Sequence, residues 1–262
     1  MRSGKPAAAF AVLLVVSFAT MNAMPSDTLL AALLQEAVLA LVALVAVGLA
    51  VPDALKRCTQ TVQQRSIVRF TAITLLLVGL VGGAITLLAW LFAGGGTMAC
   101  FASTALPSTA DLMENLLLLL GICLLTGLYE ESFMRVLGIE AFERALDTKR
   151  AILASAALFA LLHVGTPDVS AGQLVLLQTA LKFGQALLFG VILGALYVRT
   201  RRLWPCAFIH AGFDVLYMAP NVLLTGTMPE TYASGAVGDT VLLAVSVLML
   251  SGIVLKIRKE IA

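Results

Sequence analysis

Apolar residues in this chain come in long unbroken runs separated by short polar stretches. The runs are Ala7 to Met24, Leu29 to Val51 (interrupted by Gln35 and Glu36), Phe70 to Ala93, Leu112 to Glu130, Ala151 to Val164, Leu174 to Val198, Leu203 to Leu224 and Val237 to Leu255. A helix needs roughly 20 mostly apolar residues to cross a bilayer, and most of the runs approach that length. None alternates with the period of two expected of an outer-membrane barrel strand. The pattern predicts an all-α polytopic membrane protein with about eight transmembrane helices, organised as one membrane domain over residues 1–262. Turn-forming Gly, Pro, Ser, Thr and Asp gather between the runs, and the third run stops at Gly94-Gly95-Gly96. The first run follows Arg2 and Lys5. That is also the layout of a signal peptide, with small residues near Ala23 as a cut site. Because further runs follow at once, it is read as a retained helix.

Composition agrees with lipid as the solvent. Of the residues, 60% are hydrophobic and 12% charged, against roughly 25% charged in a soluble domain. The placement of charge says more than the net +2. Arg2 and Lys5 precede the first run. Lys56, Arg57, Arg65 and Arg69 lie between the second and third, and Arg135, Arg144, Lys149 and Arg150 between the fourth and fifth. Arg199, Arg201 and Arg202 lie between the sixth and seventh, and Lys256, Arg258 and Lys259 follow the eighth. Of the 17 Lys and Arg, all but Lys182 thus fall on one side of the membrane. Basic loops stay in the cytoplasm, so both termini are expected there. The expected location is integral to a prokaryotic cytoplasmic membrane, with lipids and a membrane-associated protein or peptide as partners. No basic patch is interleaved with aromatics, which argues against nucleic acid. Cys58, Cys100, Cys123 and Cys206 form no CxxC pair, so nothing points to a disulfide framework.

An ionisable side chain inside lipid costs at least about 2.5–3.5 kcal/mol and is retained where it faces a cavity or a partner. Three places break the apolar rule together. At the end of the fourth run stands Glu130-Glu131-Ser-Phe-Met-Arg135. On a continuing helix Glu131 and Arg135 share a face, while Glu130 points about 100° away and is free to act. The fifth run contains Phe159-Ala-Leu-Leu-His163, and the seventh His210-Ala-Gly-Phe-Asp214. Asp214, four residues from His210, is placed to fix its tautomer or share a ligand with it. Hydrolysis needs an activated water, a base and an oxyanion stabiliser. Two His and a Glu (His163, His210 and Glu130) can hold a zinc ion with an open position. Alternatively, Glu130 with a histidine activates the water without metal. HExxH and GxSxG are both absent, which removes the usual zinc helix and the serine elbow. Cys206 shares a face with His210 and is read as packing.

At these residues the chain resembles the CAAX-protease and bacteriocin-processing family (CPBP, or Abi). EESFMR at 130–135 is similar to its EExxxR motif, FALLH at 159–163 to its FxxxH motif, and LWPCAFIHAGFD at 203–214 to its HxxxN or HxxxD motif. The resemblance spans about residues 112–220. It implies an eight-helix intramembrane endopeptidase related to the type II CAAX prenyl endopeptidases. By that resemblance Glu130 is the general base, and Glu131 with Arg135 its supporting ion pair. His163 and His210 bind metal or the oxyanion, and Asp214 completes the site. Asp214 stands where the CAAX enzymes usually carry Asn.

Gln178, Lys182 and Gln185 make one polar stripe on the sixth run. They form either a cavity wall that contacts substrate or a set of interhelical hydrogen bonds. Glu36 is a candidate partner for Lys182, and Gly190 with Gly194 marks close helix packing. The shared site makes one geometric demand. His163 lies about 12 residues into its run, or roughly 18 Å, so the fourth helix must run past Arg135 toward Phe142. A catalytically silent immunity or scaffold protein of the same fold is one alternative. An ion-coupled transporter is another, although no internal repeat supports it.

Overall fold

The computed structural model of the protein describes residues 4–24, 26–56, 72, 80, 107–164, 170, 172–228 and 233–261. Among them are α1 (Lys5–Ala23), α2 (Leu29–Ala50), α3 (Thr109–Glu131), α4 (Thr148–Val164), α5 (Gln173–Thr200), α6 (Leu203–Thr225) and α7 (Val237–Ile261). No strand occurs among the described residues. The third apolar run, Phe70 to Ala93, lies outside them apart from Ala72 and Leu80. The other seven runs each fall on a helix. Five of these helices are long and apolar enough to cross a membrane, and a shorter apolar helix covers Leu203–Ala219. The chain is an integral membrane protein.

Local chemistry sets the helix ends. The Thr28 hydroxyl accepts from Ala31 N at 3.2 Å to start α2. Ser108 and Asp111 close a capping box at the start of α3, satisfying donors that a helix N-terminus leaves orphaned. Gly226, at φ 68°, ends α6 in the left-handed conformation, which glycine adopts without a Cβ penalty.

The fourth run does not stop at Glu130. Past α3 the chain continues as a π-helical segment, Ser132–Ile139, and then a single α-turn, Glu140–Phe142. This is the extension that the meeting of Glu130 with His163 requires. All eight residues of the π segment are buried. Neighbouring helices support its loosened backbone: the Ser155 hydroxyl on α4 donates to the Met134 carbonyl at 2.6 Å. From α1, Phe10 packs on Phe133 with centroids 4.7 Å apart.

Close approaches set the order of packing. α3 lies between α2 and α6, and α5 between α4 and α7. A Cβ on Gly127 of α3 would stand 2.6 Å from the Ala207 carbonyl oxygen of α6. Gly190 and Gly194 of α5 lie as close to Ala156 and Ile152 of α4, where an added Cβ would meet atoms at 2.9 Å. Small residues let membrane helices approach this way, so the paired glycines serve packing, as expected.

The ends that carry Lys and Arg are tied together. Arg201 donates to Glu140 at 2.7 Å and to Glu143 at 2.8 and 3.0 Å, and the Tyr197 hydroxyl donates to Glu140 at 3.0 Å. Burial alone disfavours the Arg201 charge, but Glu143 and Glu140 overcome it and hold its pKa above the usual value. The Trp204 indole donates to the Leu55 carbonyl at 3.1 Å, and Arg202 donates to the carbonyl of Asp53.

Candidate active site

Four helical pieces meet in mid-bundle. Glu130 and Glu131 occupy the last turn of α3, Arg135 the π segment, His163 the far end of α4, and His210 and Asp214 the middle of α6. The Gly127–Ala207 approach, one turn before Glu130 and one turn before His210, holds α3 and α6 in register at this level.

The adjacent glutamates have different surroundings. Glu131 is completely buried; its Oε2 lies 3.0 Å from Arg135 Nε and its Oε1 2.8 Å from His210 Nδ1. The Arg135 guanidinium, also without exposure, sits 4.3 Å from the centre of the Phe159 ring. Glu130 keeps 21% of its side chain exposed, and its Oε2 lies 3.4 Å from His210 Nε2 and 3.8 Å from His163 Nε2. Glu131 is therefore locked, whereas Glu130 faces open space.

The two imidazoles are oriented by their Nδ1 atoms. In His163, Nδ1 lies 2.9 Å from the Phe159 carbonyl, which can only accept. Nδ1 therefore carries the proton, and Nε2 is left toward Glu130. In His210, Nδ1 donates to Glu131 while Nε2 faces both Glu130 and Asp214 Oδ2, the latter at 3.4 Å. The Phe159 ring lies against His163 with centroids 4.1 Å apart, and Phe189 of α5 meets His210 edge-on at 5.1 Å and 87°. The phenylalanine of the FxxxH spacing thus holds both His163 and Arg135.

Two cavities meet at Glu130 and His163. The first is polar, about 320 Å³, and is lined by those two residues with Glu36, Thr126, Lys182, His210, Asp214 and Tyr217 among others. The second is apolar, about 510 Å³, and is lined by Leu14, Phe18 and Met21 of α1 with Phe133, Phe159 and Leu162 among others.

The stripe on α5 divides. Lys182 lines the polar cavity, 5.1 Å from the centre of the Tyr217 ring. Gln178 and Gln185 do not form its wall, contrary to one of the two readings of the stripe. Gln178 donates to the Ala236 carbonyl at 2.7 Å and accepts from Gly235 N at 2.8 Å, and Gln185 donates to Ser246 at 2.7 Å. A buried amide is far more stable when its bonds are satisfied by a neighbouring helix, and both glutamines fasten α5 to α7. Glu36 and Thr126 line the same cavity as Lys182. Cys206 is fully buried, its thiol 3.6 Å from the Leu193 carbonyl.

Among the described residues no three His, Cys, Asp or Glu side chains are grouped to hold a metal ion. His163, His210 and Glu130 do converge, with Glu130 Oε2 3.8 and 3.4 Å from the two Nε2 atoms.

Residues 112–216 match the family model described as Type II CAAX prenyl endopeptidase Rce1-like. The match contains all of the residues from Glu130 to Asp214 discussed above, and it is to the family that the motifs resemble. At the level of the family it is a match to peptidases. No curated protein matches the chain.

Proposed function

From its Rce1-like core, we propose that the protein is an intramembrane endopeptidase that cleaves a membrane-associated protein or peptide with a water activated by Glu130. The observation that carries this reading is the contrast between the two glutamates: Glu131 is sealed against Arg135 and His210, and Glu130 faces the meeting of two cavities beside two imidazoles.

The chemistry follows from the atoms present. A water between Glu130 Oε2 and His163 Nε2 gives one proton to the carboxylate and directs the other at the imidazole. Its oxygen adds to the scissile carbonyl carbon. The resulting oxyanion is met by an N–H at Nε2 of His210, whose imidazolium form Glu131 supports from the Nδ1 side. Glu130 then passes its proton to the departing amine as the C–N bond breaks. General acid–base catalysis contributes about 10²–10⁴-fold, and one well-placed oxyanion donor about 10²–10³-fold. None of these steps calls for a metal ion. The apolar cleft receives the hydrophobic part of the substrate and the polar cavity its peptide backbone.

Purified protein in liposomes should cut membrane-associated peptides, with products read by mass spectrometry, and a chelator should leave the rate unchanged. His210→Ala should lower kcat by about 10²–10³-fold without loss of helical content. Wild-type cleavage by His210→Ala would remove this role.

A further inference from the structure

The position of the polar cavity along the bundle says from which face the site is reached. The basic ends of the helices lie together: Arg201 binds Glu140 and Glu143, Arg202 binds the Asp53 carbonyl, and Trp204 binds Leu55. Between those ends and Glu130 the described residues pack closely. Val136, Leu137 and Ile139 of the π segment, Leu193, Leu196 and Tyr197 of α5, and Ile152 of α4 are all 0–2% exposed.

The cavity extends the other way. Its lining includes Ile122 and Thr126, two turns and one turn before Glu130 on α3. It continues through Met218 on the far half of α6 to Met228 just past that helix, and to Ser26 in the turn between α1 and α2. All of these lie toward the face that is free of Lys and Arg. The apolar cleft occupies the same half, since Phe18 and Met21 belong to the last turns of α1, and Leu161 and Leu162 to the last turn of α4. These four are 42–56% exposed on the outer surface of the bundle. Basic loops mark the cytoplasmic face.

We propose that the site is open to the face opposite the basic loops, the extracytoplasmic one. Its substrate is then a peptide segment presented in the outer leaflet or beyond it, as in an exported or membrane-anchored chain, and not the end of a cytosolic protein. The word substrate rests on the endopeptidase reading; the direction of opening does not.

Cysteine accessibility tests the direction without any need for cleavage. Thr126→Cys reports the cavity, and Lys56→Cys reports the basic face, where its side chain is 68% exposed. Each is treated with a membrane-impermeant maleimide in right-side-out and in inverted vesicles, with the wild-type chain alongside to subtract the native cysteines. Thr126→Cys should be labelled only in right-side-out vesicles and Lys56→Cys only in inverted ones. Labelling of both from the same face, or no labelling of Thr126→Cys from either, overturns the proposal. Ile122→Cys repeats the measurement if Thr126→Cys does not accumulate. If the labelling fails while His210→Ala abolishes cleavage, only the direction is lost. If the labelling succeeds while His210→Ala cleaves normally, only the mechanism is lost.

Discussion

Glu130 and Glu131 show how adjacent identical residues acquire different surroundings. A turn of about 100° per residue sends one carboxylate toward Arg135 and the other toward the cavities. That division was legible from the EExxxR spacing alone. Asp214 was legible as an ionisable residue four positions from His210, but its position opposite His210 Nε2, 3.4 Å away, came only from the fold. An amide has the same shape as the carboxylate and adds an N–H donor at the oxyanion. Asp214→Asn is therefore expected to keep cleavage within about tenfold of wild type, a change of 1.4 kcal/mol or less, whereas Asp214→Ala should lose more; initial rates on one peptide decide this. Glu36 gave a sequence signal as a carboxylate in an apolar run, but nothing in the sequence placed it beside Thr126 in the polar cavity.

At the level of elements, the runs predicted the helices closely because lipid demands long apolar segments with every backbone bond satisfied internally. The π segment was not visible. Ser132–Ile139 reads as ordinary helix, and its widening depends on contacts from Phe10 and Ser155, far away in sequence. Such segments recur at functional sites. The α3–α6 contact makes a sharper prediction. Gly127→Val would press a side chain against the Ala207 carbonyl, with the first added atom at 2.6 Å. It should cost about 1–3 kcal/mol of stability and lower cleavage by moving Glu130 from His210, as read by melting in detergent and by rate. The ties at the basic face differ in the same measurement. Arg201→Ala removes the charge facing Glu140 and the buried Glu143 and should cost about 1–3 kcal/mol. Arg150→Ala breaks an exposed pair with Asp147, with side chains 75% and 57% exposed, and should cost less than about 1 kcal/mol.

Among the described residues the helices pack tightly toward the basic ends and leave a cavity toward the other, with Glu130, His163, His210 and Asp214 at its bottom. The sequence indicated which helices carry the buried ionisable groups and which ends share a face, since charge placement encodes topology directly. It could not show that α5 contributes Lys182 to the cavity while turning Gln178 and Gln185 toward α7, because one polar stripe serves either purpose until the neighbours are known. Glu130 is the group proposed to activate water. Single-turnover cleavage by Glu130→Gln, compared with wild type in the same liposomes and checked for equal melting, tests this directly. A fall of about 10²–10⁴-fold with unchanged stability is the predicted result, and cleavage at the wild-type rate would contradict it.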